Sequence, residues 1–186
     1  MEKLLITGLG NKGDSYKNTR HNVGFKVLDT LAKKYAINFS YNIFGYIASI
    51  HYKNKIFILL KPDTFMNKSG KSIGYWLYKE KILLDKLLVV TDDINLKFST
   101  LRLRTRGTYG GHNGLKNIEK TLKSIHYPRL RVGIENYSKE NKKDFVLGEW
   151  SKEEYCELPK ILLKSVDAIL CFGFSGIDQT MNLFNC

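Results

Sequence analysis

The stretch KLLVVT, residues 86–91, constrains the fold of this chain more than any other segment. An unbroken apolar, β-branched run leaves no face of a strand suited to water, so it demands a sheet covered on both sides. Acids follow at once, at Asp92 and Asp93. Residues 3–8 (KLLITG) have the same character and lead into a turn. Between these runs Val23, Val27, Leu28, Leu31 and Tyr35 recur at helical spacing, which predicts an amphipathic helix over 22–36. Strands are expected over 45–53 and 55–61, paired as a hairpin about Asn54, then a loop over 63–69 and a helix over 71–81. Further along, 101–106 alternates as a strand, 114–124 reads as a helix, 129–135 as a strand, and 151–172 and 176–184 as helices. Strands interleaved with helices argue an α/β fold: a single domain, 1–186, built on a twisted mixed, largely parallel β-sheet flanked by helices. A chain this long can bury roughly 70% of its unfolded surface. The lysine-crowded stretch NYSKENKKDF, 136–145, is the nearest thing to a linker.

Gly8, Gly10 and Gly13 spell G-x-G-x-x-G directly after the first strand. A dinucleotide site needs the third glycine to open a helix and an acid about 20 residues on, at the end of a second strand. Here Gly13 leads into the turn-rich DSYKNTRHN, and the nearest later acid, Asp29, falls inside the predicted helix. The fingerprint fails on context. The turn instead presents Asn11, Thr19, Arg20, His21 and Asn22.

Thirty basic residues against 18 acidic give a net charge of +12. The excess lies in residues 1–150, with 27 basic and 13 acidic side chains, against three and five in 151–186. Such asymmetry suits a polyanion-binding body; an overall drift toward lysine is the plain alternative. Cys156, Cys171 and Cys186 are too few and too irregular for a disulfide framework or a zinc site. The opening MEKLLITGLG is too short for a signal peptide, and no apolar stretch reaches membrane-spanning length. A cytoplasmic location is expected.

A nucleophile is not evident. GFSGI lacks the spacing of a G-x-S-x-G elbow, no H-E-x-x-H or Cys/His ligand spacing occurs, and no P-loop lysine appears. Attack by an activated water is therefore favoured, and it needs a base near neutral pKa. His21 is the natural candidate, against the plainer reading of a hydrogen-bonded loop histidine. Asp92, at the end of the central strand, could accept the second imidazole N–H, although Asp93 competes and spacing does not choose between them. Asn67 and Asn113 could hold a substrate amide or a developing oxyanion, or simply serve turns. Arg102, Arg104 and Arg106 alternate toward one strand face, and Lys116, Lys120 and Lys123 share a helix face, an arrangement suited to a phosphate backbone.

Taken in order, LITGLGNKGDSYKNTRHNVGF, KPDTFMNKSGKS, VVTDD, GGHNGLK, RLRVGI and FVLG resemble the bacterial peptidyl-tRNA hydrolase family over nearly the whole chain. The resemblance implies a cytoplasmic, generally monomeric enzyme acting in translation, which hydrolyses the ester between a peptide and the 3′ end of its tRNA. No metal or cofactor is implied. The family's catalytic histidine falls on His21 and its orienting aspartate on Asp92. Substrate-binding or stabilising positions fall on Asn11, Tyr16, Met66, Asn67 and Asn113, and tRNA contacts on Arg102, Arg104 and Arg131. Two departures stand out: DDINLK replaces the DELDLP of many relatives, and RGTYGG places Tyr109 where relatives often carry smaller residues. A catalytically silent RNA-binding protein on the same scaffold is the rival reading, as is a nucleotide-binding oxidoreductase resting on the glycines alone.

Overall fold

The structure, a computed structural model, describes residues 1–135 and 141–185. Seven strands form one sheet in the order β2-β3-β4-β1-β5-β7-β6. The four central strands, β4 (Lys55–Pro62), β1 (Glu2–Gly8), β5 (Leu87–Asp93) and β7 (Arg129–Gly133), run parallel. Antiparallel margins are added by β3 (Gly45–Tyr52) with β2 (Ser40–Asn42), and by β6 (Leu101–Arg104). Every residue of β5 is buried, as its continuous apolar run requires. Successive residues face opposite layers: Leu88 and Val90 join the core beneath α1 (Val23–Lys34) and α5 (Lys152–Phe184). Leu87 and Val89 join the one beneath α2 (Ser69–Glu80) and α3 (Asn113–Leu122).

The glycine turn answers the dinucleotide reading. A Cβ on Gly8 would lie 2.3 Å from the Gly24 carbonyl oxygen, and one on Gly24 would lie 2.4 Å from the Leu9 nitrogen. Both glycines are there so that α1 can pack directly on the β1–β5 strands. Gly13 adopts φ 100°, where other residues are strained, and turns the chain into a short 3-10 segment rather than a phosphate-binding helix.

Several elements differ from expectation for local physical reasons. β6 ends at Arg104, so Arg106 does not continue the alternating row. The expected loop 63–69 contains a 3-10 turn, Met66–Lys68, that runs straight into α2. Of the expected linker, residues 136–140 lie outside the described residues, as does Cys186. The rest belongs to a short helix, α4 (Lys142–Leu147), capped by the Asn141 side chain accepting from the Lys143 N–H at 3.0 Å. The two expected C-terminal helices are both present and run end to end in α5, separated by a sharp kink where Gly176 (φ 79°) leaves helical geometry, and a Ser151–Glu154 capping box starts the first.

In the order β4-β1-β5-β7 the chain leaves β1 toward one side and returns to β5 on the other. Ligands in such sheets gather at the carboxyl ends of the strands flanking that switch.

Candidate active site

A cavity of about 380 Å³ opens where β1 and β5 end. His21, Asp92, Asn11, Met66, Asn67, Asn113 and Arg131 all line it. Two alternative assignments made from sequence are decided by strand geometry. Side chains alternate across a strand, so Asp92 and Asp93 must face opposite layers. Asp92 meets His21, whereas Asp93 forms an ion pair with Arg131.

His21 occupies a 3-10 turn, Arg20–Asn22, and is buried. Both of its neighbours hold that turn. Asn22 Oδ1 accepts the Asn11 N–H and its Nδ2 donates to the Asn11 carbonyl, each at 2.9 Å. Arg20 donates from Nε and Nη2 to the Glu154 carboxylate at 3.2 and 2.7 Å, and from Nη1 to the Phe145 carbonyl at 3.2 Å. Its guanidinium also lies 4.3 Å from the Phe145 ring centroid. The turn that carries His21 is thus fastened to α4 and to the start of α5. Asn11 is fixed in the same way: its Oδ1 accepts the Met66 N–H at 2.8 Å, which leaves the side-chain NH₂ for the cavity.

His21 Nδ1 lies 2.9 Å from both oxygens of Asp92. An ionised carboxylate only accepts, so Nδ1 carries the hydrogen and Nε2 is the basic nitrogen. Burial disfavours the His21 imidazolium, but the Asp92 charge and hydrogen bond outweigh it, and the pKa lies above the ordinary 6.5. Burial likewise opposes ionisation of Asp92. The charges and hydrogen bonds of His21 and His112 prevail, and the carboxyl is held well below the usual range.

The second imidazole on Asp92 is His112, which the sequence offers with Asn113 as a polar pair opening a helix, without a role of its own. His112 is the N-cap of α3; its Nδ1 accepts the N–H groups of Gly114 and Leu115 at 3.1 and 3.3 Å. Nε2 must therefore carry the hydrogen, and it lies 2.9 Å from Asp92 Oδ1 and 2.9 Å from Thr91 Oγ1. The ligand atoms of His21, Asp92 and His112 fall within 4.8 Å of one another, close enough to suggest a metal site. The proton placement argues otherwise. For Nε2 of His112 to ligate an ion, Nδ1 would have to carry the hydrogen and face two backbone donors.

The arginines on β6 and β7 share a sheet face. Arg102 is directly opposite Arg131 and Arg104 opposite Arg129 across the β6–β7 ladder. Arg104 is exposed and Arg102 half-buried, and neither lines the cavity. Arg129 is almost wholly buried and donates from Nη1 to the Thr108 carbonyl at 2.9 Å, under the loop that leads to His112. Tyr16 does not line the cavity either; its ring meets the Phe65 ring edge-on at 6.4 Å.

His112, Arg20, Asn22 and Arg129 complete the site, yet each acts through a partner distant in sequence; Arg20 and Glu154 are 134 residues apart. The signals available were the cap position of His112 in GGHNG and the two residues flanking His21.

A family model described as peptidyl-tRNA hydrolase matches residues 5–186. Over 184 residues the chain is 48% identical to the peptidyl-tRNA hydrolase of Azobacteroides pseudotrichonymphae, covering 98% of this chain and 99% of the relative. It is 46% identical to that of Porphyromonas gingivalis, covering 98% and 100%. The crystal structure of the peptidyl-tRNA hydrolase of Acinetobacter baumannii matches with a TM-score of 0.91 at 32% identity, covering 98% of this chain and 94% of that one. On its sequence and on its fold alike, the chain belongs to the peptidyl-tRNA hydrolase family.

Proposed function

We propose that this protein hydrolyses the ester joining a peptide to the 3′ end of tRNA, with His21 as the general base. Nε2 takes a proton from a water in the cavity as that water attacks the ester carbonyl. Asp92 holds the ring through Nδ1–H and stabilises the imidazolium that forms. The proton then passes to the departing 3′ oxygen, releasing peptide acid and tRNA with no covalent intermediate. The amides lining the cavity supply neutral donors for the developing oxyanion: the Asn11 NH₂, oriented by Met66, and Asn113 at the N-terminus of α3. The observation that carries this reading is the buried His21–Asp92 pair opening onto that cavity. A silent RNA-binding relative would have no use for a histidine held in the basic tautomer there. No metal takes part in the proposed steps, the working unit is a monomer, and tRNA is the partner.

The decisive assay is turnover of N-acetyl-aminoacyl-tRNA, compared with unblocked aminoacyl-tRNA and repeated with a chelator present. Cleavage of the blocked substrate only, unaffected by chelation, is expected. Binding of tRNA without any turnover would establish the silent reading instead.

Two further outcomes follow from the lining. Asn113→Ala is expected to act mainly on kcat, by on the order of 10²-fold as for a lost oxyanion donor, and Asn67→Ala on both kcat and KM. Unchanged parameters for both would return these asparagines to turn chemistry. Outside the cavity, Arg102→Ala with Arg104→Ala should raise KM for full-length tRNA. It should reduce the slope of log affinity against log salt by roughly 0.7–0.9 per lost phosphate contact. Hydrolysis of a short 3′-terminal ester fragment should be unaffected, and equal losses on both substrates would mean the arginines support the fold.

A further inference from the structure

Tyr109 is 39% exposed, yet it lines the cavity that holds His21. The backbone on both sides of its ring is anchored. The Thr108 carbonyl accepts from buried Arg129, and the Tyr109 carbonyl accepts the His112 N–H at 2.9 Å. The latter bond closes a turn whose central residues, Gly110 and Gly111, have φ of 56° and 86°. Positive φ at both central positions is the glycine-dependent class of tight turn, and its ends lie within about 7 Å Cα to Cα. Tyr109 is thereby set one turn from the His112 cap and hence from Asp92. The loop is held by the glycine turn and by Arg129: among the described residues the phenol makes no hydrogen bond, so the ring is not needed to hold it. The ring's neighbour is a cation, Lys116 Nζ, at 5.8 Å from the centroid. Lys142, Lys143 and Arg131 line the same cavity.

An exposed aromatic ring on an anchored backbone, beside several cations, is the chemistry of base stacking next to phosphate. We infer that Tyr109 is the stacking platform for the base of the 3′-terminal nucleotide, and so a substrate-specificity residue of the hydrolase. This rests on the function proposed above. The scissile ester is attached to the ribose of that nucleotide, so its base must lie one sugar away from the water that His21 activates. Tyr109 is the exposed aromatic side chain of the cavity lining, held one tight turn from His112.

The test compares one N-acetyl-aminoacyl group esterified to adenosine and to 1,4-anhydroribitol, the same sugar without a base. Tyr109→Ala should lose ~5–150-fold in kcat/KM on the adenosine ester, the range expected for one stacked base, and nothing on the baseless ester. Tyr109→Phe should retain wild-type rates on both. As a readout free of turnover, deacylated tRNA ending in 2-aminopurine should be quenched on binding wild type and not on binding Tyr109→Ala. Equal losses on the two esters, or quenching that survives Tyr109→Ala, would overturn the assignment. His21→Ala separates this from the parent reading. If cleavage does not depend on His21, the proposed function fails; if it does and Tyr109→Ala is indifferent to the base, only the stacking role fails.

Discussion

Replacing His21 by alanine is expected to lower kcat on N-acetyl-aminoacyl-tRNA by ~10²–10⁴-fold, the range for a lost general base, with tRNA affinity nearly unchanged. The separation of the two effects follows from the architecture. His21 is buried at the carboxyl edge of the sheet, whereas Arg102 and Arg104 lie on β6, outside the cavity. Single-turnover kinetics with the alanine variant, alongside a tRNA-binding titration, check both halves. A near wild-type rate would end the scheme in which this histidine activates water. A large loss of affinity would mean that the Arg20–Asn22 turn had collapsed; His21→Gln, which keeps a polar side chain in the buried position, then supplies the control.

Asp92→Asn is expected to be nearly as damaging. From the sequence alone, a solvent-accessible aspartate would be partly replaceable by water and its loss comparatively mild. The structure removes that option, because Asp92 is 4% exposed and receives N–H groups from two imidazoles. An asparagine offers one acceptor oxygen where two donors converge, and its NH₂ turned toward His21 would favour the wrong tautomer. In a Ser-His-Asp triad the corresponding change costs about 10⁴ in kcat, and a loss of that order is expected here. The pH dependence distinguishes an electrostatic role from a merely structural one. Only neutral His21 accepts a proton, so kcat/KM should fall as pH drops through the His21 pKa. The Asp92 charge raises that pKa above 6.5, so the acid limb of the wild type should have its midpoint above 6.5. Without that charge burial acts unopposed, and the midpoint of the residual activity should move lower. A profile displaced to higher pH in the variant would show that Asp92 does not set the histidine's protonation. If Asp93→Asn were the more damaging change, the pairing of acids with partners would be wrong; that variant is expected instead to weaken the Arg131 ion pair.

Much of this protein is legible one segment at a time. KLLVVT can be satisfied only by burial on both faces, and Val23, Val27, Leu28 and Leu31 can share a face only on a helix; both requirements are local and both are met. The α/β class follows from their alternation. His21, Asp92, Asn11, Met66, Asn67 and Asn113 were recognisable because a strand end or a tight turn must present whatever follows it, and the motifs matched a known family in order. Segments with weak local preference were not legible. β2 is three exposed residues whose strand character comes from pairing with β3, and α4 is a single short helix held by its cap and by Phe145 beneath Arg20.

What only the tertiary structure decided is which atoms meet. The choice between Asp92 and Asp93 depends on which layer of the sheet each side chain faces, a matter of register with β7 rather than of residue type. The proton on His112 is set by two backbone donors at the start of α3, and the orientation of Asn11 by a backbone N–H 55 residues away. Tyr109 is kept free of the core by a glycine turn and a buried arginine from a neighbouring strand. Hydrogen bonds act over about 3 Å, so their partners are selected by packing, and the spacing of residues along a chain contains no record of that selection.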